Sequence, residues 1–177
     1  MKRILLIILS LILLLNFGAC KKDDASLLKF YVVDRNEINQ GMSNKEIVST
    51  VKKEGRLVFD GTDLDGYNWE KHKVTLNENS VGSIGATNSE NGGSAIFKVD
   101  DSYAFALILD NSLIYFGGFE VGAKTPDIPL QPYIKDESKY VFSIKYDSKY
   151  SIEKDNRSNK KLYNFLENQG LLITNVN

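Results

Sequence analysis

The chain has 177 residues, with 22 Lys+Arg against 23 Asp+Glu, one His, one Cys and three Pro. This near-neutral balance excludes nucleic-acid recognition through a basic field, and one histidine beside one cysteine excludes a multi-histidine or multi-cysteine metal site and any intrachain disulfide. At 42% apolar and 11% aromatic residues, the chain can bury a core without covalent staples.

The first element is an apolar N-terminal segment. Lys2 and Arg3 form a charged start, Ile4 to Leu15 is almost unbroken apolar sequence, and Phe17-Gly18-Ala19 places small residues directly before Cys20. The run is shorter than the roughly 20 apolar residues a spanning helix needs. It resembles the bacterial lipoprotein signal, with Phe17 standing where Leu is usual. The resemblance implies removal of residues 1–19 and diacylation of the Cys20 sulfur, which makes Cys20 the mature N-terminus held at a membrane. Lys22-Asp23-Asp24 is also similar to the Lys-acidic-acidic signal that directs some Bacteroidetes lipoproteins to the cell surface. The expected location is therefore the cell envelope, at the outer membrane or cell surface if the cell is Gram-negative. Without Lys2 and Arg3, the 22 basic residues fall by two to 20 against 23 acidic, a balance of −3.

Residues 20–26 read as the acylated Cys and a short polar tether, and residues 27–177 as one globular domain. Leu28, Phe30 and Val32 alternate with Lys29, Tyr31 and Val33, a period of two that suits a strand with one buried face. Ser43 and Glu46 then form a capping box, with Met42 and Ile47 in the flanking staple positions. Ile47, Val48 and Val51 supply an apolar stripe, and Gly55 is placed to close a helix running from about Asn44 to Glu54.

From Arg56 the pattern turns to strands. Leu57 to Phe59, Lys73 to Leu76, Ala95 to Val99, Tyr103 to Leu109 and Leu113 to Gly117 are short apolar runs bounded by turn residues. Asp110-Asn111-Ser112 joins the last two as a hairpin, and Tyr103 to Leu109, apolar on both faces, is expected to be central. Val81 to Ser94 reads as a mobile surface loop, and Pro126, Pro129 and Pro132 as a rigid crossover or a polyproline II ligand face. Tyr140 to Tyr146 alternates as a late strand, and Ser158 to Asn168 reads as a second helix terminated by Gly170 before a last apolar run, Leu171 to Ile173. The expected fold class is α+β: a mainly antiparallel β-sheet, sandwich-like or curved, with one helix in the N-terminal half and one near the C-terminus.

Few residues in this pattern point to chemistry. Asp60, Asp63 and Asp65 gather three hard oxygen ligands in one glycine-flanked turn, but the spacing departs from an EF-hand loop, and a strand-to-strand turn whose Asp side chains cap local backbone N–H groups is the favoured reading, with no metal expected. His72 lies between Lys71 and Lys73 without a nucleophile motif, and reads as a structural histidine at a strand start. Gly92-Gly93 and Gly117-Gly118 lack the flanks of a phosphate loop or dinucleotide fingerprint. No cofactor is expected.

The aromatics Tyr67, Trp69, Tyr115 and Phe119 either belong to the sheet core or form an exposed face for a protein or a glycan. The stretches Leu64 to Leu76 and Leu109 to Phe119 are similar to a pattern in secreted or membrane-attached bacterial sheet modules, a resemblance that implies no catalytic residues. The leading expectation is a membrane-anchored envelope lipoprotein that binds another envelope component. The alternatives are an inhibitor or immunity-type lipoprotein that blocks an enzyme or toxin, and a hydrolase built from Asp60, Asp63, Asp65 and His72.

Overall fold

The computed structural model describes residues 25–80, 87–88, 94–97, 99–120, 132–146 and 157–173. Cys20 and the segment before it, most of the Val81 to Ser94 stretch, Pro126 and Pro129 lie outside the described residues. The fold is α+β, dominated by a nine-stranded, mostly antiparallel sheet. In chain order its strands are β1 (Leu28–Asp34), β2 (Arg56–Asp60), β3 (Leu64–Asn68) and β4 (Lys73–Leu76), then β7 (Tyr103–Leu109), β8 (Ser112–Phe119), β9 (Tyr133–Ser138), β10 (Val141–Lys145) and β11 (Leu172–Ile173). Between β4 and β7, β5 (Thr87–Asn88) and β6 (Ser94–Ala95) form a separate antiparallel ladder. The sheet order is β11-β3-β4-β10-β9-β8-β7-β1-β2, and among the described residues only the β8–β9 and β11–β3 pairings are parallel.

The sheet is curved strongly enough for distant strands to share one core. Phe59 on the edge strand β2 lies 5.9 Å, ring to ring, from Phe142 on β10, although four strands separate them in the sheet order. Phe30 fills the space between, stacked on Phe59 at 4.6 Å and on Phe105 at 5.4 Å. The period-two pattern of β1 places Leu28, Phe30 and Val32 in this interior. Tyr31 and Val33 are buried as well, on the opposite face, so the single buried face expected for β1 is corrected to two. The cover is α1 (Asn44–Glu54), whose Val48 and Val51 pack with Tyr31, Val33, Ala104, Ala106 and Ile108. β7 is correspondingly buried on both faces, which suits its run of Ala-Phe-Ala-Leu-Ile-Leu.

Helix α1 begins where the capping box requires. The Ser43 N–H donates to the Glu46 carboxylate at 2.7 Å, and the Ser43 hydroxyl accepts the Glu46 N–H at 3.4 Å. The helix closes at Gly55 as expected, but with φ −80°, so the cap is not a left-handed one. Glycine is needed there for space, because a Cβ would lie 2.5 Å from the Val51 carbonyl oxygen and 3.3 Å from that of Val32. Helix α2 (Lys160–Gln169) does end as expected, on Gly170 at φ 69°, after an Asn159 N-cap that accepts from the N–H groups of Lys161 and Leu162. Leu162 and Leu166 enter the curl of the sheet and are fully buried.

Three further expectations change. The hairpin turn is tighter than a three-residue loop, with Asp110 at φ 46° and Asn111 at φ 60° between β7 and β8, as a two-residue turn with both residues left-handed requires. The run Ala95 to Val99 is not a strand: β6 stops at Ala95, and Ile96 and Phe97 bend inward to plug the core, with Phe97 5.2 Å from Phe142 and 5.3 Å from Phe119. Tyr133 to Ser138 and Leu64 to Asn68, where the sequence predicts no strand, are strands β9 and β3.

Candidate functional site

The acidic turn is built from the backbone outward. After β2 the chain makes a 3-10 turn (Gly61–Asp63), where Asp60 accepts from the Thr62 N–H at 2.8 Å and hydroxyl at 2.6 Å. Asp63 reaches back to accept the Asp60 N–H at 2.9 Å, and its other oxygen accepts the Ser80 hydroxyl at 2.5 Å. These carboxylates are therefore spent on holding the β2–β3 connection. Asp65, between buried Leu64 and Gly66 on β3, points to the opposite, exposed side. Among the described residues no three His, Cys, Asp or Glu side chains gather closely enough to hold a metal ion.

His72 belongs to a different place. It ends the β3–β4 turn at φ 48°, is buried, and its Nδ1 shares a hydrogen bond of 3.1 Å with the Tyr67 hydroxyl. Asp63 and His72 lie beyond opposite ends of β3, whose five residues separate them by more than about 13 Å. The structure brings Asp60 and Asp63 together and leaves His72 apart.

The four candidate aromatics do not make one exposed face. Tyr67, Tyr115 and Phe119 retain 2%, 1% and 4% of their surface, so the structure corrects them to core residues. Each is fixed by a specific neighbour: Tyr67 by His72, Tyr115 by donation of its hydroxyl to the Arg157 carbonyl at 2.5 Å, and Phe119 by Phe105 at 5.9 Å. Trp69 alone keeps partial exposure. It packs edge-on against Tyr163 of α2 at 5.0 Å and beside Tyr67 at 5.6 Å, which ties the β3–β4 turn to the helix.

Two charged features were not anticipated, because each depends on strand pairing. On the outer face, Glu137 of β9 pairs with Lys73 of β4, lies 3.8 Å from Lys145 of β10, and accepts from the fully buried Ser143 hydroxyl. Burial pushes its carboxyl up, but the Lys73 and Ser143 hydrogen bonds and both lysine charges hold it below the usual range. Next to it, Lys135 bridges to Glu120 at 3.1 Å.

Asp136 lies between these residues in sequence and points the other way. Its Cα partner is Phe142, its Oδ2 accepts the Ile96 N–H at 3.0 Å, and its Oδ1 is buried without a partner among the described residues. Burial pushes its carboxyl up to about 6, against a downward pull from the Ile96 N–H. A sequence signal existed in retrospect: Asp136 stands two residues from Ile134 and shares its face. Elsewhere, an apolar void under α2, lined by Phe30, Phe142, Ile144 and Leu162 among others, holds no more than about one water molecule.

No protein-family model matches the chain, and neither a curated protein nor a solved structure matches it.

Proposed function

We propose that this is a lipid-anchored envelope protein, held at a membrane through Cys20, whose domain serves as a binding or accessory module for another envelope component. The observation that carries the reading is the run Lys2-Arg3, apolar residues 4–15 and Phe17-Gly18-Ala19-Cys20, followed five residues later by Ala25, which is buried in the domain. Such spacing supports the reading of Cys20 as the attachment point of a lipid, joined to the domain by a short tether. The described domain supports no assembled nucleophile, base and acid: Asp60 and Asp63 act as local caps, and His72 stands at the other end of β3.

With Tyr67, Tyr115 and Phe119 in the core, partner contact falls to loops. The turns at the far end of β1 suit this role, since Arg35 ties them together by donating to the Ser102 carbonyl at 2.9 Å and the Asp101 carbonyl at 2.8 Å, while Asn36 and Asp101 stay exposed. Cell fractionation of wild type and Cys20→Ser tests the anchor. Wild type should enter the membrane fraction and the variant should leave it; a membrane-bound Cys20→Ser protein would refute the reading. A photo-crosslinker at Asp101 tests the module: a discrete envelope adduct, absent when the probe is moved to Leu113, supports it, and equal labelling from both positions counts against it.

A further inference from the structure

The first described residues are fixed at a definite place in the fold. The carbonyl of Ala25 packs against Gly61, where a Cβ would lie 2.1 Å from it, and the carbonyl of Leu27 accepts the Asp110 N–H at 3.1 Å. Leu28 pairs with Leu109, so the N-terminus of the domain and the β7–β8 turn form one end of the molecule. The start of α2 joins the same end: Lys161 donates to the Ser112 hydroxyl at 2.9 Å and lies 3.9 Å from the Asp110 carboxylate. Lys160 is exposed beside it. Leu27, whose carbonyl holds the Asp110 N–H, is also exposed at this end, at 43% of its surface.

We propose that this end of the domain, formed by Leu27, the Asp110-Asn111 turn and the first turn of α2, rests on the phosphate headgroups of the lipid surface. The inference rests on the reading of Cys20 as the anchor and adds an orientation to it. Five peptide units separate Cys20 from Ala25. At full extension they span about 18 Å. A domain of this size has a radius of gyration of roughly 15 Å, hence a diameter of about 40 Å. The leash is shorter than half of that, so only surface near Ala25 reaches the bilayer. The far end of β1, six residues further along an extended strand, is about 20 Å more distant. At the near end, Lys160 supplies a cation for lipid phosphate, and Leu27 supplies an apolar side chain that enters the headgroup layer. Lys161, engaged with Asp110 and Ser112, fixes the helix start that presents Lys160.

The test uses the full lipidated chain purified from membranes and reconstituted into phosphatidylethanolamine–phosphatidylglycerol vesicles. Acylation consumes the Cys20 sulfur, so Ser158→Cys near the start of α2 and Asn36→Cys at the far end each carry one free thiol for a bimane label. Quenching by a nitroxide on the lipid headgroup should be several-fold stronger at position 158 than at 36, and Lys160→Glu should lower the quenching at 158 by twofold or more. Protein that fails to float with the vesicles overturns the anchor reading and the orientation with it. Flotation with equal quenching at 158 and 36, or with stronger quenching at 36, overturns the orientation alone. Strong quenching at 158 unaffected by Lys160→Glu overturns the lysine contact.

Discussion

The Asp136 carboxylate holds the backbone N–H of Ile96 across 40 residues of sequence, and this bond seats Ile96 and Phe97 in the top of the core. Its cost is an Oδ1 with no partner among the described residues. Lys135 and Glu137, its charged neighbours on β9, are engaged with Glu120, Lys73 and Lys145, and Phe142 and Ile96 pack against it without charge. The folded protein therefore favours the protonated carboxyl more than the unfolded chain does. A carboxyl raised from 3.8 to about 6 contributes stability that is complete below pH 3.8 and is lost as the pH rises through 6.

Asp136→Asn should remove that dependence, since the carboxamide oxygen still accepts from Ile96 and carries no charge. The shift corresponds to at most about 3 kcal/mol, and screening of a half-buried group reduces it to about 1–2 kcal/mol. Thermal unfolding at pH 4 and pH 7 checks this: the variant should gain on wild type between the two values. A difference that does not change with pH would show that the Asp136 charge is irrelevant to folding.

Gly117 should tolerate no side chain. A Cβ there would lie 1.7 Å from the Pro132 carbonyl oxygen and 2.7 Å from the Phe105 ring, and the oxygen belongs to backbone at the entry to β9. Gly117→Ala must push β8 and β9 apart at the parallel junction, with an expected loss of about 3 kcal/mol or more. Urea unfolding measures it, and a loss under about 1 kcal/mol would mean that the strands cross differently.

Leu162→Ala should cost about 2–5 kcal/mol, toward the upper end because the side chain already borders a void that the substitution enlarges. Ser43→Ala should cost only about 1 kcal/mol, since it removes one exposed cap from α1. Chemical denaturation of both variants checks the ranking. The order reverses only if α2 is peripheral to the core.

Trp69→Ala should detach the β3–β4 turn from α2 before it unfolds the sheet. The half-buried ring joins Tyr163, Tyr67 and His72 at the margin of the core, whereas Phe30 packs with Phe59, Phe97, Phe105 and Phe142 away from it. Amide hydrogen exchange should rise first in residues 160–169. Uniform loss of protection would place Trp69 in the global core instead.

Much of the fold was legible in the residues. Ser43, Glu46 and Gly55 bound α1 to the residue, Gly170 ends α2, and Asp110-Asn111 marks the hairpin, because caps and left-handed turns are decided by local chemistry. β3 and β9 were not legible, since Leu-Asp-Gly-Tyr-Asn and Tyr-Ile-Lys-Asp-Glu-Ser become strands only through their partners β4, β8 and β10. The candidate face failed for a similar reason. Tyr67 and Tyr115 have polar tips that suit a surface equally well, and it is His72, across the β3–β4 turn, and Arg157, 42 residues away in sequence, that draw those tips inside. Asp136 shares the inward face of Ile134, but Ile96 lies 40 residues away, so the surrounding residues do not show which N–H takes its oxygen.

The central claim is the lipid anchor, and intact mass analysis of the N-terminal peptide from membrane-extracted protein tests it most directly. The peptide should begin at Cys20 and carry the added mass of a diacylglyceryl group on sulfur. A peptide that begins at Met1, or at Cys20 with an unmodified thiol, would contradict the account.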